Sequence, residues 1–242
     1  MAEGGQKLAE VLSELKRAAR EGVSTKFLDE FAHELIKDRG AEPAFLNYRP
    51  TGAKQAYPFT LCASLNDTVI HGLPSADAIL KTGDVLKLDI GLQYKGFYLD
   101  TAATVGIGTI VPEAKRLIKI TEDALQKGIA EAKPGNTTDD VGRAIQIHIQ
   151  KNEFFVIKGL IGHGIGRNLH EDPEVPNFDT RGNGTKLEAG MVIAIEPMAA
   201  LGSGEVKQLK DDSFATRDGS TSTHFEHTVV ITRTGPRILT RS

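Results

Sequence analysis

Two stretches of this chain repeat one another: LKTGDVLKLD, residues 80–89, lies over LEAGMVIAIE, residues 187–196, with Leu, Gly, Val, an aliphatic position and a terminal carboxylate in register. Each is followed by a second strand-like run bearing a second acid, Asp100 in FYLDTAATV and Glu226 in HFEHTVVIT. Duplicated α/β units of this kind pack about a pseudo-twofold axis, and equivalent strand positions then converge near it. Asp89, Asp100, Glu196 and Glu226 are therefore expected to meet. One acid at a strand end reads as a salt bridge or a solvent-facing terminus; four at repeated positions suggest a shared site. Crowded carboxylates raise each other's pKa unless a cation neutralises them.

A single cysteine, Cys62, excludes internal disulfides and thiolate clusters, so any metal must be held by carboxylates and imidazoles. Two divalent ions bridged by carboxylates are the economical answer. Oxygen and imidazole ligation suits Mn, Fe, Co or Zn without choosing among them.

The periodicity predicts helices over residues 7–20 and 25–38, the first with an apolar stripe of Leu8, Val11, Leu12 and Leu15, stopped by Gly22 and Gly40. Residues 43–58 read as a surface loop, and TLCASLNDTVIHGLP as a strand then a turn. VLKLDIGLQ and FYLDTAATV form a β-hairpin through Tyr94, Lys95 and Gly96. Helices follow at 112–132 and 138–152, the second opened by Thr137 with Asp140 three residues on. Strands are expected in FFVIKGLIG, MVIAIEPM and FEHTVVIT. No linker interrupts the chain, so residues 1–242 are expected to form a single domain.

With 40% hydrophobic and 25% charged residues the chain can bury a core. A net charge of −3 without a basic run lacks the footprint of a nucleic-acid binder. The first 22 residues carry charges every few positions and contain no apolar stretch for a signal peptide or membrane span, which predicts a cytosolic protein without membrane contact.

The imidazoles fall in two places. His163, in GHGIGRNLHEDPEVPNF, follows an apolar strand, and the flanking Gly162 and Gly164 are expected to leave room for a metal or substrate. His170 and Glu171 lie beyond it. The spacing is not HExxH, and Arg167 occupies the place of the last glycine of GxGxxG. His71, in VIHGLP, stands at a strand-to-turn junction, either as a proton carrier or as a hydrogen-bonded turn histidine. In His224-Phe225-Glu226-His227, alternation puts His224 and Glu226 on one face and His227 on the other, so His227 is not expected to be a ligand.

Taken in order, IHGLP, KLDIG, LDTA, GHGIGRNLHE, IEPM and FEHTVV resemble the type I methionine aminopeptidases over nearly the whole chain. The resemblance implies an α+β duplicated pita-bread fold, a pseudo-twofold antiparallel sheet flanked by helices. It implies that Asp89 chelates one ion, that His163 and Glu196 serve the other, and that Asp100 and Glu226 bridge the two. His71 and His170 would contact the scissile peptide and stabilise the tetrahedral intermediate, with Glu196 handling the proton of the attacking water. Tyr57, Cys62, Leu169 and Phe214 would line an apolar methionine pocket. Tyr48 would also fall on that pocket, beside a loop, residues 49–56, longer than in familiar bacterial members.

Leu169 and Phe214 stand where well-known relatives carry a larger Phe and a Trp, which implies a roomier pocket and looser selectivity. The implied substrates are peptides with N-terminal methionine, nascent chains at the ribosome among them, and the implied state is a monomer. Only 30 positions separate Glu196 from Glu226, too few for the helical insertion of type II enzymes. Two other readings stay open. An Xaa-Pro aminopeptidase shares the fold and ligands but usually carries a large N-terminal domain, for which the 70 residues ahead of His71 are too few. A non-catalytic peptide-binding module would be expected to have lost ligands that are all present.

Overall fold

The structure is a computed structural model and describes residues 1–49, 55–182 and 184–241. The first half runs α1 (Ala2–Ala18), α2 (Thr25–Asp38), β1 (Glu42–Pro43), β2 (Leu61–Leu65), β3 (Thr68–Ile70), β4 (Val85–Tyr94) and β5 (Phe97–Gly106). The second begins with α3 (Pro112–Glu131), α4 (Thr138–Lys151), β6 (Phe155–Val156), β7 (Gly162–Gly164) and β8 (Glu171–Val175). It continues through β9 (Val192–Ile195), β10 (Met198–Ala200), β11 (Val206–Gln208), β12 (Phe214–Thr216), β13 (Ser222–His224), β14 (Glu226–Thr232) and β15 (Gly235–Ile238).

Local sequence explains where the helices start. Ser24 caps α2 by accepting from the backbone N–H of Phe27 at 3.1 Å. Thr137 and Asp140 form the reciprocal capping box that opens α4. By contrast α1 begins at Ala2, ahead of the expected residue 7, because packing overrides propensity: a Cβ on Gly5 would lie 2.2 Å from the carbonyl oxygen of Leu239. Leu8 and Leu15 of α1, Leu28 and Ile36 of α2, and Ile145 and Ile149 of α4 bury their apolar stripes in one core with Leu88, Leu99 and Ile195.

The main sheet orders its strands β1-β4-β5-β14-β9-β7-β8, with β2 added on β4 and β15 on β14. Its pairings are antiparallel. The repeat is visible in this order. β4 and β5, preceded by α1 and α2, are answered by β9 and β14, preceded by α3 and α4, with β5 and β14 meeting at the centre. This is the duplicated pita-bread arrangement of the α+β class.

The β4–β5 hairpin turns on Lys95 and Gly96 alone, both left-handed at φ 51 and 77°, while Tyr94 pairs with Phe97 and belongs to the strand. The seam between halves is built differently. Backbone pairing of β5 with β14 is confined to Glu226 with Ala102 and His227 with Thr101, and threonine hydroxyls extend it. Thr228 Oγ1 donates to the Asp100 carbonyl at 2.7 Å and accepts from its N–H at 3.0 Å. Thr101 Oγ1 donates to the Glu226 carbonyl at 2.8 Å. Thr104 Oγ1 donates to the His224 carbonyl at 2.7 Å and accepts from its N–H at 2.9 Å.

Several segments differ from expectation. Residues 43–58 are not wholly a surface loop: Glu42–Pro43 pairs with β4, and Ala44 and Phe45 are buried beneath it. Residues 50–54 of that expected loop lie outside the described residues. TLCASLNDTVI forms two strands that join different sheets, β2 on β4 and β3 on β12. FFVIKGLIG supplies only β6 and the first residue of β7, and MVIAIEPM breaks between β9 and β10 at Glu196-Pro197. Among the described residues no helix is long and apolar enough to cross a membrane.

Candidate metal centre

Each half delivers its acids from the strands that meet at the seam. Asp89 lies on β4 and Asp100 on β5; Glu196 follows the last residue of β9 and Glu226 opens β14. Asp100, Glu196 and Glu226 are 4%, 8% and 2% exposed, too dry for bare charges. Burial raises the pKa of Asp89 well above the usual carboxylate range, and the charge of Asp100 raises it further. Asp100 is raised by burial but held back by the Thr101 N–H, at 2.9 Å, and by its hydrogen bond with Asp89. Two carboxyls in such a bond need a proton, or a cation, between them. Glu196 and Glu226 are raised well above their range, by burial first and then by their acidic neighbours.

His163 enters from β7, inside the strand rather than after it. Its Nδ1 lies 2.8 Å from the carbonyl oxygen of Gly164, which can only accept, so Nδ1 carries the hydrogen and Nε2 keeps its lone pair. That lone pair faces Glu196 Oε1 at 3.8 Å. Burial pushes the His163 pKa down to about 3, which keeps the imidazole neutral. Gly162 and Gly164 do not make room for a metal or substrate, as the sequence had suggested. A Cβ on Gly162 would sit 2.3 Å from the Ala194 carbonyl oxygen, and one on Gly164 2.1 Å from that of Asp172. They admit the neighbouring backbones, and so set His163 deep enough to reach the acids.

The donor set fits divalent metal. Asp100, His163 and Glu226 each offer one ligating atom within 4.8 Å of the others'. Glu226 Oε1 is buried with no hydrogen-bond partner. Carboxylate oxygen with a neutral imidazole whose Nδ1–H is tied to a backbone carbonyl is the ligand pattern of Mn, Fe, Co and Zn sites.

His170 and His71 stand exposed beside this cluster. The His170 ring meets that of His163 edge to face at 4.3 Å, and its Nδ1 lies 2.7 Å from the Tyr48 hydroxyl. His71 has φ 58°, a conformation uncommon outside glycine, and its ring packs against Phe214 at 6.0 Å. Crowding by surrounding protein, and then the neighbouring His170, lower its pKa to about 4. Cys62 and Leu169 share an apolar cluster with Tyr48 and Tyr57, while Phe214 packs in a different one with Val69 and Met198. The Tyr57 hydroxyl is within donating distance of the carbonyls of Leu61 and Gly72, at 3.0 and 3.1 Å. Tyr48 therefore joins Tyr57, Cys62 and Leu169, and Phe214 stands in the other cluster.

His227 does not reach the cluster but bonds Thr240 Oγ1 at 2.9 Å, as strand alternation requires. His224 is buried with its Nε2 3.4 Å from Glu196 Oε2. Its place two residues before Glu226 hinted at this, but the contact runs to an acid of another strand.

A curled antiparallel sheet converging acids and an imidazole on a central seam matches a known class, and the chain belongs to metallopeptidase family M24, whose profile covers residues 1–233. Within it, the methionine aminopeptidase of Clostridium perfringens is 45% identical to this chain, covering 99% of it and 94% of that protein. Methionine aminopeptidase 1 of Bacillus subtilis is 41% identical over 100% of this chain and 95% of its own. The crystal structure of methionine aminopeptidase from Thermotoga maritima superposes with a TM-score of 0.94, at 37% identity, covering 100% of this chain and 95% of that one. The chain is accordingly a metal-dependent aminopeptidase.

Proposed function

We propose that this protein, as one catalytic unit spanning residues 1–242, removes N-terminal methionine from peptides by metal-assisted amide hydrolysis. The observation that carries the reading is the convergence of Asp100 and Glu226, the latter with an orphaned buried oxygen, on the neutral His163 imidazole, with Glu196 3.8 Å from the same ring. Asp89, Asp100, His163, Glu196 and Glu226 would hold the divalent metal. When bound, the metal supplies Lewis acidity and acidifies water into a nucleophile near neutral pH. Glu196, raised by burial, takes the proton of the attacking water and delivers it to the departing amine. His71 and His170, exposed beside the acids and uncharged, donate to the scissile peptide and to the oxygen that becomes negative. Tyr57, Cys62 and Leu169 receive the methionine side chain, joined by Tyr48, while Phe214 borders the site through His71.

The substrates would be nascent chains leaving the ribosome, met by a cytosolic monomer. The test is to strip the protein with chelator, restore Mn, Co, Fe or Zn, and compare Met-Ala-Ser with an Ala-Pro peptide. Release of methionine with little cleavage before proline is expected. Preference for the Ala-Pro peptide would assign Xaa-Pro specificity, and no turnover with any metal would leave a binding module.

A further inference from the structure

His224 is 1% exposed and neither of its ring nitrogens has a hydrogen-bond partner. A neutral imidazole always carries one N–H and one lone pair, and a donor left unpaired in a dry interior is costly. The ring cannot escape by moving its backbone. Thr104 Oγ1 clamps both its carbonyl and its N–H, at 2.7 and 2.9 Å, and Met198 lies directly opposite on β10. The polar atom facing the ring is Glu196 Oε2, 3.4 Å from Nε2, while the other oxygen of the same carboxylate faces His163 at 3.8 Å. Glu196 is thus bracketed by two imidazoles, one on each oxygen. His163 points a lone pair at it, since its hydrogen is committed to Gly164.

We infer that His224 is a positioning residue: it donates its Nε2–H to Glu196 Oε2, which dedicates Oε1 to the metal centre. The separation is a few tenths of an ångström longer than an ordinary N–H···O bond and closes with a small tilt of either side chain. A carboxylate with both oxygens free can rotate between one-point and two-point ligation. One held by a fixed donor presents the same oxygen at every turnover. The inference rests on the ligand role proposed for Glu196.

Two measurements on the full-length, metal-loaded enzyme test it. Long-range 1H–15N correlation of the wild-type imidazoles should show His224 with hydrogen on Nε2; hydrogen on Nδ1, or an Nε2 shifted by a bound ion, would overturn the assignment. This readout needs no variant to fold. The second compares His224→Gln, which keeps a side-chain N–H, with His224→Leu, which has none. The Gln variant should keep Mn affinity and kcat within about threefold, whereas the Leu variant should bind Mn roughly 10- to 100-fold more weakly and lose kcat at saturating metal with little change in KM. Equal behaviour of the two variants overturns the donor role, whether both are impaired or neither is. A wild-type protein that neither binds Mn nor releases methionine would instead defeat the reading of the centre, and this inference with it.

Discussion

Replacing Thr228 by valine tests whether side-chain hydroxyls hold the two halves together at the metal centre. Valine keeps the shape of threonine and removes only the hydroxyl, which here donates to the Asp100 carbonyl at 2.7 Å and accepts from its N–H at 3.0 Å. Thr228 is 0% and Asp100 4% exposed, so water does not replace the lost bonds. An orphaned buried group costs about 1–3 kcal/mol, and a carbonyl with a second lone pair falls toward the lower end, so the pair comes to roughly 2–4 kcal/mol. At about 2–4 °C per kcal/mol for a chain of this size, Tm should fall by roughly 4–16 °C. The assay is thermal and urea unfolding of chelator-treated protein, which removes any compensation by bound metal. Loss of the same bonds frees the backbone of Asp100, so Mn affinity should fall as well. A variant within about 0.5 kcal/mol of wild type would refute the argument, since that is the range of an indifferent surface change.

Three further outcomes follow from the same geometry. Asp100→Asn should abolish methionine release and weaken metal binding while leaving Tm of the metal-free protein unchanged or higher, because it removes one of several repelling acids; wild-type turnover would exclude a bridging role. Metal-free protein should lose stability as pH rises from about 5, just above the unfolded carboxylate values. The folded-state values of Asp89, Glu196 and Glu226 are raised, so their contribution is fully present below the unfolded value and is lost as pH climbs through the folded one. Below about pH 6.5 the trend is partly offset, because His163 and His224 stay neutral to about 3 when folded but take up protons when unfolded. Chemical denaturation with chelator between pH 5 and 9, in about unit steps, should therefore show a loss that steepens above about pH 6.5, and saturating Mn should abolish it. Gly164→Ala should destabilise by about 1–3 kcal/mol and weaken Mn binding, because its Cβ would lie 2.1 Å from the Asp172 carbonyl oxygen and the relief displaces His163; calorimetry that leaves both unchanged would count against that placement.

The parts of this fold that can be read from sequence are those whose signals are local. Thr137 and Asp140 open α4 where the sequence predicts, and the strand-like runs VLKLDIGLQ and FYLDTAATV with turn residues between them fix the long hairpin. The repeat placed Asp89 opposite Glu196 because register is inherited with duplication. What stayed hidden depends on partners distant in sequence. Gly4 and Gly5 discourage a helix by propensity, yet α1 runs through them to lie on the Leu239 backbone. Ala44 and Phe45 look like loop residues until β1 brings them under Gly91 and beside Cys62. Gly162 and Gly164 were legible as a demand for space, but only the neighbouring strands reveal that backbone occupies it. The hydroxyls of Thr101, Thr104 and Thr228 alternate along strands as any β-propensity residue does, and their partners lie more than a hundred positions away.

Anomalous diffraction from crystals grown with excess Mn addresses the central claim most directly, because it counts the ions and locates them among the acids. Two peaks about 3.5–4 Å apart are expected, with Asp100 and Glu226 between them, Asp89 on one and His163 with Glu196 on the other. Acids turned away from one another around a centre without anomalous signal would contradict it.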